Sequence, residues 1–224
     1  MRFIKERIMT QFQLRGLYAI TLESSSSASL LSQVKQALQG GAQLMQYRNK
    51  RECDSTVSTQ QKTTEAAALL ALCHSYQVPL IINDDVALAY ALGADGVHLG
   101  QHDLSLFLAR QTLGPQALIG VSCYNNLELA IAAQAAGASY VAFGSFFPST
   151  TKPQASAASL EILHQARAHL RLPIVAIGGI TAVNGGALIQ AGADMLAVVG
   201  GVFAATDIRV AAQAVTDLFG SKPS

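Results

Sequence analysis

The residues in this chain best equipped for chemistry stand directly behind short apolar runs. Asn83, Asp84 and Asp85 follow PLII, and Asp103 ends HLGQHD further downstream. Adjacent carboxylates repel each other, and a hard divalent cation relieves that repulsion. Magnesium typically takes one or two carboxylates and completes its shell with water and phosphate oxygens. Asp also has an ordinary use at a helix N-cap or in the first turn. One of Asp84 and Asp85 suits that role, and Asp103 taken alone reads more readily as the cap of a helix of its own.

Other apolar runs end in cations and hydroxyls. In LMQYRNK, alternate residues share a strand face, so Gln46 and Arg48 point one way and Met45 and Tyr47 the other, with Lys50 beyond. Arg grips phosphate oxygens in two places; this segment is either a cationic wall for an anionic substrate or a polar flank meeting water. In PSTTKP, Ser149, Thr150, Thr151 and Lys152 lie between Pro148 and Pro153, which reads as an anion-binding lid or as a turn. Ser122 in GVSCY offers one hydrogen bond to a ligand or to its own loop, with no Ser-His-Asp arrangement around it. His98 and His102 span a strand end and a loop, not one helical face, so a packed barrel role suits His98 better than a zinc pair.

The elements that position these residues follow a repeat. A Gly-Ala pair, one residue and a strand-like run recur as GAQLMQY, GADGVHLG, GASYVAFG and GADMLAVVG. Glycine ends a helix by turning left-handed, and the apolar residues that follow suit a strand. Between them lie GLYAIT, PLIIN, ALIGVS and PIVAIGG, which makes eight strands. Each is followed by a segment of helical spacing, such as Leu127, Ala130, Ile131 and Ala135. Alternating strands and helices predict parallel βα units, and continuously apolar strands predict burial on both faces. Eight even units favour a closed (β/α)8 TIM barrel, of the α/β class, over an open doubly wound sheet. The barrel spans residues 15–219 as a single domain, with 1–14 an N-terminal arm or short helix and 220–224 a tail.

In such barrels chemistry sits at the C-terminal strand ends, often with a phosphate held after strands 7 and 8 by backbone N–H groups. Gly178-Gly179 and Gly200-Gly201 fall at those two ends and allow close backbone approach. The strand ends therefore describe two anion sites, a metal-assisted one at strands 2 to 4 and a metal-free one at strands 7 and 8. That pattern suits an enzyme joining a diphosphate to a monophosphate.

Bulk properties exclude other classes. Half of the 224 residues are hydrophobic and 13% are charged, enough apolar material for a sizeable core. The net charge of +1 provides no field for nucleic acid or an anionic membrane. No apolar run reaches membrane-spanning length, and MRFIKERIMTQFQL lacks the pattern of a secretory signal. Cys53, Cys73 and Cys123 are odd in number and widely spaced, as reduced cytoplasmic thiols are. Small-molecule substrates are the expected partners, and homo-oligomerisation stays open.

QYRNK, NDD, HLGQHD, GVS, PSTTKP and GGIT, in that order, resemble the thiamine-phosphate synthase family from about Arg15 to Phe219. The resemblance implies coupling of 4-amino-5-hydroxymethyl-2-methylpyrimidine diphosphate to a thiazole phosphate, with release of diphosphate. It implies that Gln46, Tyr47, Arg48, Asn49, Lys50, Asn83, Ser122 and Lys152 bind the pyrimidine diphosphate, with Arg48, Lys50, Lys152 and Ser122 serving catalysis. Asp84 and Asp103 would hold Mg2+. Ser149, Thr150, Thr151, Gly179, Val199 and Gly200 would hold the thiazole phosphate. Ser149 stands where the family usually has Thr, and Gly200 where Ser is common, which bears on thiazole-phosphate affinity. The implied mechanism is dissociative and needs no protein nucleophile. A thiazole tautomerase-like barrel and a non-catalytic barrel binding thiazole or thiamine phosphate are the alternatives. A phosphosugar epimerase-type barrel would want acid/base residues facing across the barrel, and no such pair stands out.

Overall fold

Eight short strands form in chain order: β1 (Gly16–Ile20), β2 (Leu44–Tyr47), β3 (Leu80–Asn83), β4 (Gly96–Leu99), β5 (Leu118–Tyr124), β6 (Tyr140–Phe143), β7 (Ile174–Ile177) and β8 (Met195–Val198). All pair in parallel with their sequence neighbours, and β8 pairs with β1, closing a (β/α)8 TIM barrel. All eight lie where the apolar runs predict them. The computed structural model describes residues 14–22, 26–49, 59–101, 103–148 and 158–220. The expected arm therefore lies outside the described residues except for Leu14, which packs against the barrel interior.

Around the barrel run α1 (Ser27–Gln39), α2 (Thr59–Ser75), α3 (Val86–Leu92), α4 (Leu106–Leu113), α5 (Leu127–Ala135), α6 (Leu160–His169), α7 (Gly185–Gln190), α8 (Gly200–Phe203) and α9 (Ile208–Asp217). Side chains of Ser26, Asp85, Ser105, Asn126 and Asp207 cap α1, α3, α4, α5 and α9, each accepting from the N–H three residues on. No helix among the described residues is long and apolar enough to cross a membrane.

The Gly-Ala repeat has a structural cause. Gly41, Gly93, Gly137 and Gly192 all adopt positive φ, the left-handed turn glycine makes at little cost. In three of the four units the single residue after Ala is a clasp. Asp95 Oδ2 accepts from Leu80 N–H at 2.8 Å, Ser139 Oγ from Ile119 N–H at 3.0 Å, and Asp194 Oδ2 from Ile174 N–H at 2.8 Å. Each clasp ties a strand to the start of the strand before it. These polar groups hold the N-terminal face, where barrels place stability rather than chemistry.

The core has two shells. Val34, Leu69, Ile82, Ile119 and Leu196 fill the layer between barrel and helices. Ile20, Leu44, Ile81, Leu118, Val175 and Met195 fill the barrel itself. Burial of such side chains stabilises by about 1.5–3 kcal/mol each, so the larger outer shell anchors the scaffold. The inner shell contains an exception to its apolar rule. Tyr140 lies within it, fully buried, in a space left by Gly120, where an added Cβ would come within 2.0 Å of the Tyr140 ring.

Candidate active site

Alternation along the strands turns Gln46, Asn83, His98 and Ser122 onto the same inward face as Leu44, Ile81 and Leu118. These four crown the barrel at its C-terminal end.

The strand β3 end answers the question raised by the adjacent aspartates. Asp85 caps α3, its Oδ1 accepting from Leu88 N–H at 2.9 Å. Asp84 is instead held at φ +62°, and its N–H donates to the carbonyl of His98 on β4 at 2.9 Å. The left-handed region is tolerated by Asp better than by most residues, at a cost on the order of 1–3 kcal/mol. Asn83 Nδ2 donates to Asp84 Oδ2 at 2.6 Å and orients the carboxylate. In the loop after β4, Asp103 Oδ2 accepts from Gly100 N–H at 2.6 Å. Asp103 does not cap the following helix, because Ser105 does. The ordinary reading of Asp103 is thereby removed.

Two carboxylates thus stand on loops of neighbouring strands, each with one oxygen steadied by a local donor, as ligating carboxylates commonly are. Among the described residues no three His, Cys, Asp or Glu side chains gather at one point. The donor set is two oxygen-bearing side chains, which fits a hard cation that takes its remaining ligands from water and phosphate.

The β2 exit is pinned from two sides. Thr21 N–H donates to the Gln46 carbonyl at 3.0 Å, and Thr21 Oγ1 accepts from Arg48 N–H at 3.0 Å. Arg48 therefore leaves the barrel on a backbone tied to β1. The side chain of Tyr47 points outward, as strand alternation predicts, and its hydroxyl donates to Glu65 Oε2 on α2 at 2.8 Å. The period-two geometry of a strand puts Tyr47 opposite Gln46. Asn49 Nδ2 reaches the same tyrosine hydroxyl at 3.1 Å, so it is steadied from outside the barrel. Glu65 also accepts from Ser27 Oγ at 2.7 Å.

Below the mouth a buried polar chain crosses the barrel. Gln46 Nε2 donates to the Tyr18 hydroxyl at 2.6 Å, and the hydroxyls of Tyr18 and Tyr140 are 2.8 Å apart. His98 Nδ1 is 3.1 Å from the Tyr140 hydroxyl and its Nε2 is 2.9 Å from Ser122 Oγ. The His98 and Tyr140 rings stack at 5.7 Å. Burial raises the pKa of both tyrosines well above the ordinary phenol value, so each keeps its proton. Sequence reading reached His98 as a barrel residue but passed over Tyr18 and Tyr140. The available signal was a tyrosine at an inward position in each of two otherwise apolar strands.

At the far side, Gly178 and Gly179 have positive φ values, and added Cβ atoms would strike Ser145 Oγ at 2.0 Å and the Pro148 carbonyl at 2.5 Å. Packing against the β6 loop therefore demands both glycines, whatever a ligand requires. The helix after β7 begins at Gly185. Residues 181–184 form a turn closed by Asn184, whose Oδ1 accepts from Thr181 N–H and whose Nδ2 donates to the Gly179 carbonyl. Val199 caps α8, and an added Cβ at Gly200 would meet nothing within 4 Å. Lys50, His102, Ser149, Thr150, Thr151 and Lys152 lie outside the described residues.

A closed (β/α)8 barrel with its polar groups gathered at the C-terminal strand ends is the architecture of a barrel enzyme. The thiamine monophosphate synthase family matches residues 17–202. The chain is 50% identical over 208 residues to a thiamine-phosphate synthase of Thiobacillus denitrificans, covering 93% of this chain and 96% of the relative. It is 53% identical over 209 residues to one of Nitrosococcus oceani, covering 93% and 94%. A solved thiamine phosphate pyrophosphorylase of Pyrococcus furiosus superposes with a TM-score of 0.81 at 32% identity, covering 92% of this chain and 96% of that one. The chain belongs to the thiamine monophosphate synthase family. It is an enzyme, a transferase of thiamine biosynthesis.

Proposed function

We propose that the barrel mouth couples 4-amino-5-hydroxymethyl-2-methylpyrimidine diphosphate to a thiazole phosphate, forming thiamine phosphate and releasing diphosphate. The observation that carries this reading is the pair Asp84 and Asp103, held by Asn83 and Gly100 on adjacent strand ends in a chain of this family. Gln46, Arg48, Asn49, Lys50, Asn83, Ser122 and Lys152 bind the pyrimidine diphosphate. Ser149, Thr150, Thr151 and backbone at Gly179, Val199 and Gly200 receive the thiazole phosphate. Tyr47 serves through Asn49 rather than by its own side chain.

The bond between the pyrimidine CH2 and the diphosphate oxygen breaks first, leaving positive charge that the aminopyrimidine delocalises. The thiazole nitrogen then forms the new C–N bond. Arg48, Lys50 and Lys152 stabilise the negative charge that collects on the departing diphosphate. Asp84 and Asp103 would hold Mg2+, which would supply further charge neutralisation to the departing diphosphate. The walls hold the two rings in contact, which converts a bimolecular encounter into a local one.

The deciding assay mixes both substrates with the protein, with and without Mg2+, and follows thiamine phosphate. Product only in the presence of the metal supports the proposal. No product from the wild-type protein overturns it.

A further inference from the structure

We infer that Gln46, Tyr18, Tyr140 and His98 form a one-way hydrogen-bond chain that holds His98 in its Nε2–H tautomer and makes Ser122 a donor towards the pyrimidine diphosphate. The inference rests on the proposed role of Ser122 as a substrate contact, and the polarity of the chain is set by the orientation of the Gln46 side-chain amide. The Gln46 amide nitrogen can only donate, so the Tyr18 oxygen accepts from it. Tyr18 is 1% exposed, and its own proton has one partner among the described residues, the Tyr140 oxygen 2.8 Å away. Tyr140 then spends its proton on His98 Nδ1 at 3.1 Å. A neutral imidazole that accepts at Nδ1 carries its proton on Nε2. That proton points at Ser122 Oγ, 2.9 Å away.

Ser122 consequently accepts from within the barrel and keeps its own proton for the mouth. A diphosphate is rich in acceptors, so this is the polarity it requires. Reversing the chain would place the Gln46 carbonyl oxygen against Tyr18, turn every bond round, and spend the Ser122 proton on His98. The Gln46 amide therefore sets the direction of a hydroxyl on the far side of the barrel. Tyr18, Tyr140 and His98 are positioning residues, since they act through Ser122. The same chain explains why β5 has glycine at 120: any side chain there would displace the Tyr140 ring.

The tautomer is directly measurable. Long-range 1H–15N spectra of the full chain labelled at histidine distinguish Nε2–H from Nδ1–H, with His98→Asn identifying the signal among the five histidines. The expected result is His98 in the Nε2–H form. Finding the Nδ1–H form overturns the inference, whatever the activity of the protein. Tyr140→Phe removes the donor to Nδ1 and should mix the tautomers. It should also lower kcat for coupling by about tenfold, as loss of one directed hydrogen bond to a charged group does. In a Ser122→Ala background the same change should have little further effect, because the hydroxyl being directed is gone. Full additivity of the two substitutions overturns the inference. Absence of coupling by the wild-type protein sinks only the synthase reading, because the tautomer still reports on the chain.

Discussion

Asn83 donates to the carboxylate of Asp84, its immediate neighbour, at 2.6 Å, while Asp84 sits in a left-handed conformation at φ +62°. Two adjacent residues with extended backbone would send their side chains to opposite faces. The positive φ breaks that alternation and brings both side chains to one place at the barrel mouth. A local conformational cost is thus maintained at the barrel mouth.

Asp84→Ala should abolish metal-dependent coupling while the protein keeps its wild-type circular dichroism. Asn83→Ala removes the donor that orients Asp84 together with the proposed substrate contact, and the loss of the orienting donor is itself expected to cost about 10- to 100-fold in activity or metal affinity. Asp84→Gly separates strain from function. Glycine accepts positive φ at little cost, so this variant should melt at or above the wild-type temperature yet be inactive. Wild-type turnover in either Asp84 variant would remove that residue from the proposed metal site.

At Gly200 there is room for a side chain: an added Cβ meets nothing within 4 Å, and the residue lies outside the positive-φ region. Gly200→Ser should therefore fold normally and add a hydroxyl donor beside the proposed phosphate. The KM for thiazole phosphate should fall by about three- to tenfold, the worth of one hydrogen bond to a charged group. An unchanged KM would mean that the phosphate is held elsewhere.

Tyr47 supports the β2 loop from outside the barrel, through Glu65 and Asn49. Tyr47→Phe should lower stability by about 1 kcal/mol and raise the KM for the pyrimidine diphosphate a few-fold, with kcat almost unchanged. Steady-state kinetics and urea melts check both halves. A collapse of kcat would show the hydroxyl acting directly in the mouth.

Burial raises the thiols of Cys73 and Cys123 from the ordinary 9.0 to about 12. An unfolded chain loses these protons as the pH passes 9.0, whereas the folded chain holds them until about 12. The folded state is then the proton-rich one, so stability falls as pH rises through this window. The decline approaches about 1.4 kcal/mol per pH unit for each thiol. Denaturant melts from pH 8 to 11 should show it, and the Cys73→Ala, Cys123→Ala double variant should show a shallower slope.

The barrel was legible in the residues because its causes are local. A Gly-Ala turn and an apolar run repeat at strand spacing, and each can be recognised without its neighbours. NDD and HLGQHD were legible for the same reason, as polar residues directly behind apolar runs. Tyr47 was harder to place, since strand alternation turns it away from Gln46 without saying that Glu65 on α2 meets it there.

From the chain alone came eight βα units, the end of the barrel that bears the polar groups, and the expectation that one of the two adjacent aspartates starts a helix. The tertiary structure decided what depends on distance across the fold. It excluded Asp103 as a helix cap and set Tyr47 against Glu65 on α2. It also brought Gln46, Tyr18, Tyr140, His98 and Ser122 from five strands into one hydrogen-bonded line. Helix caps and turns are written within three or four residues, so a sequence displays them. A chain of hydrogen bonds across a barrel exists only after closure, because closure brings β1 and β6 face to face.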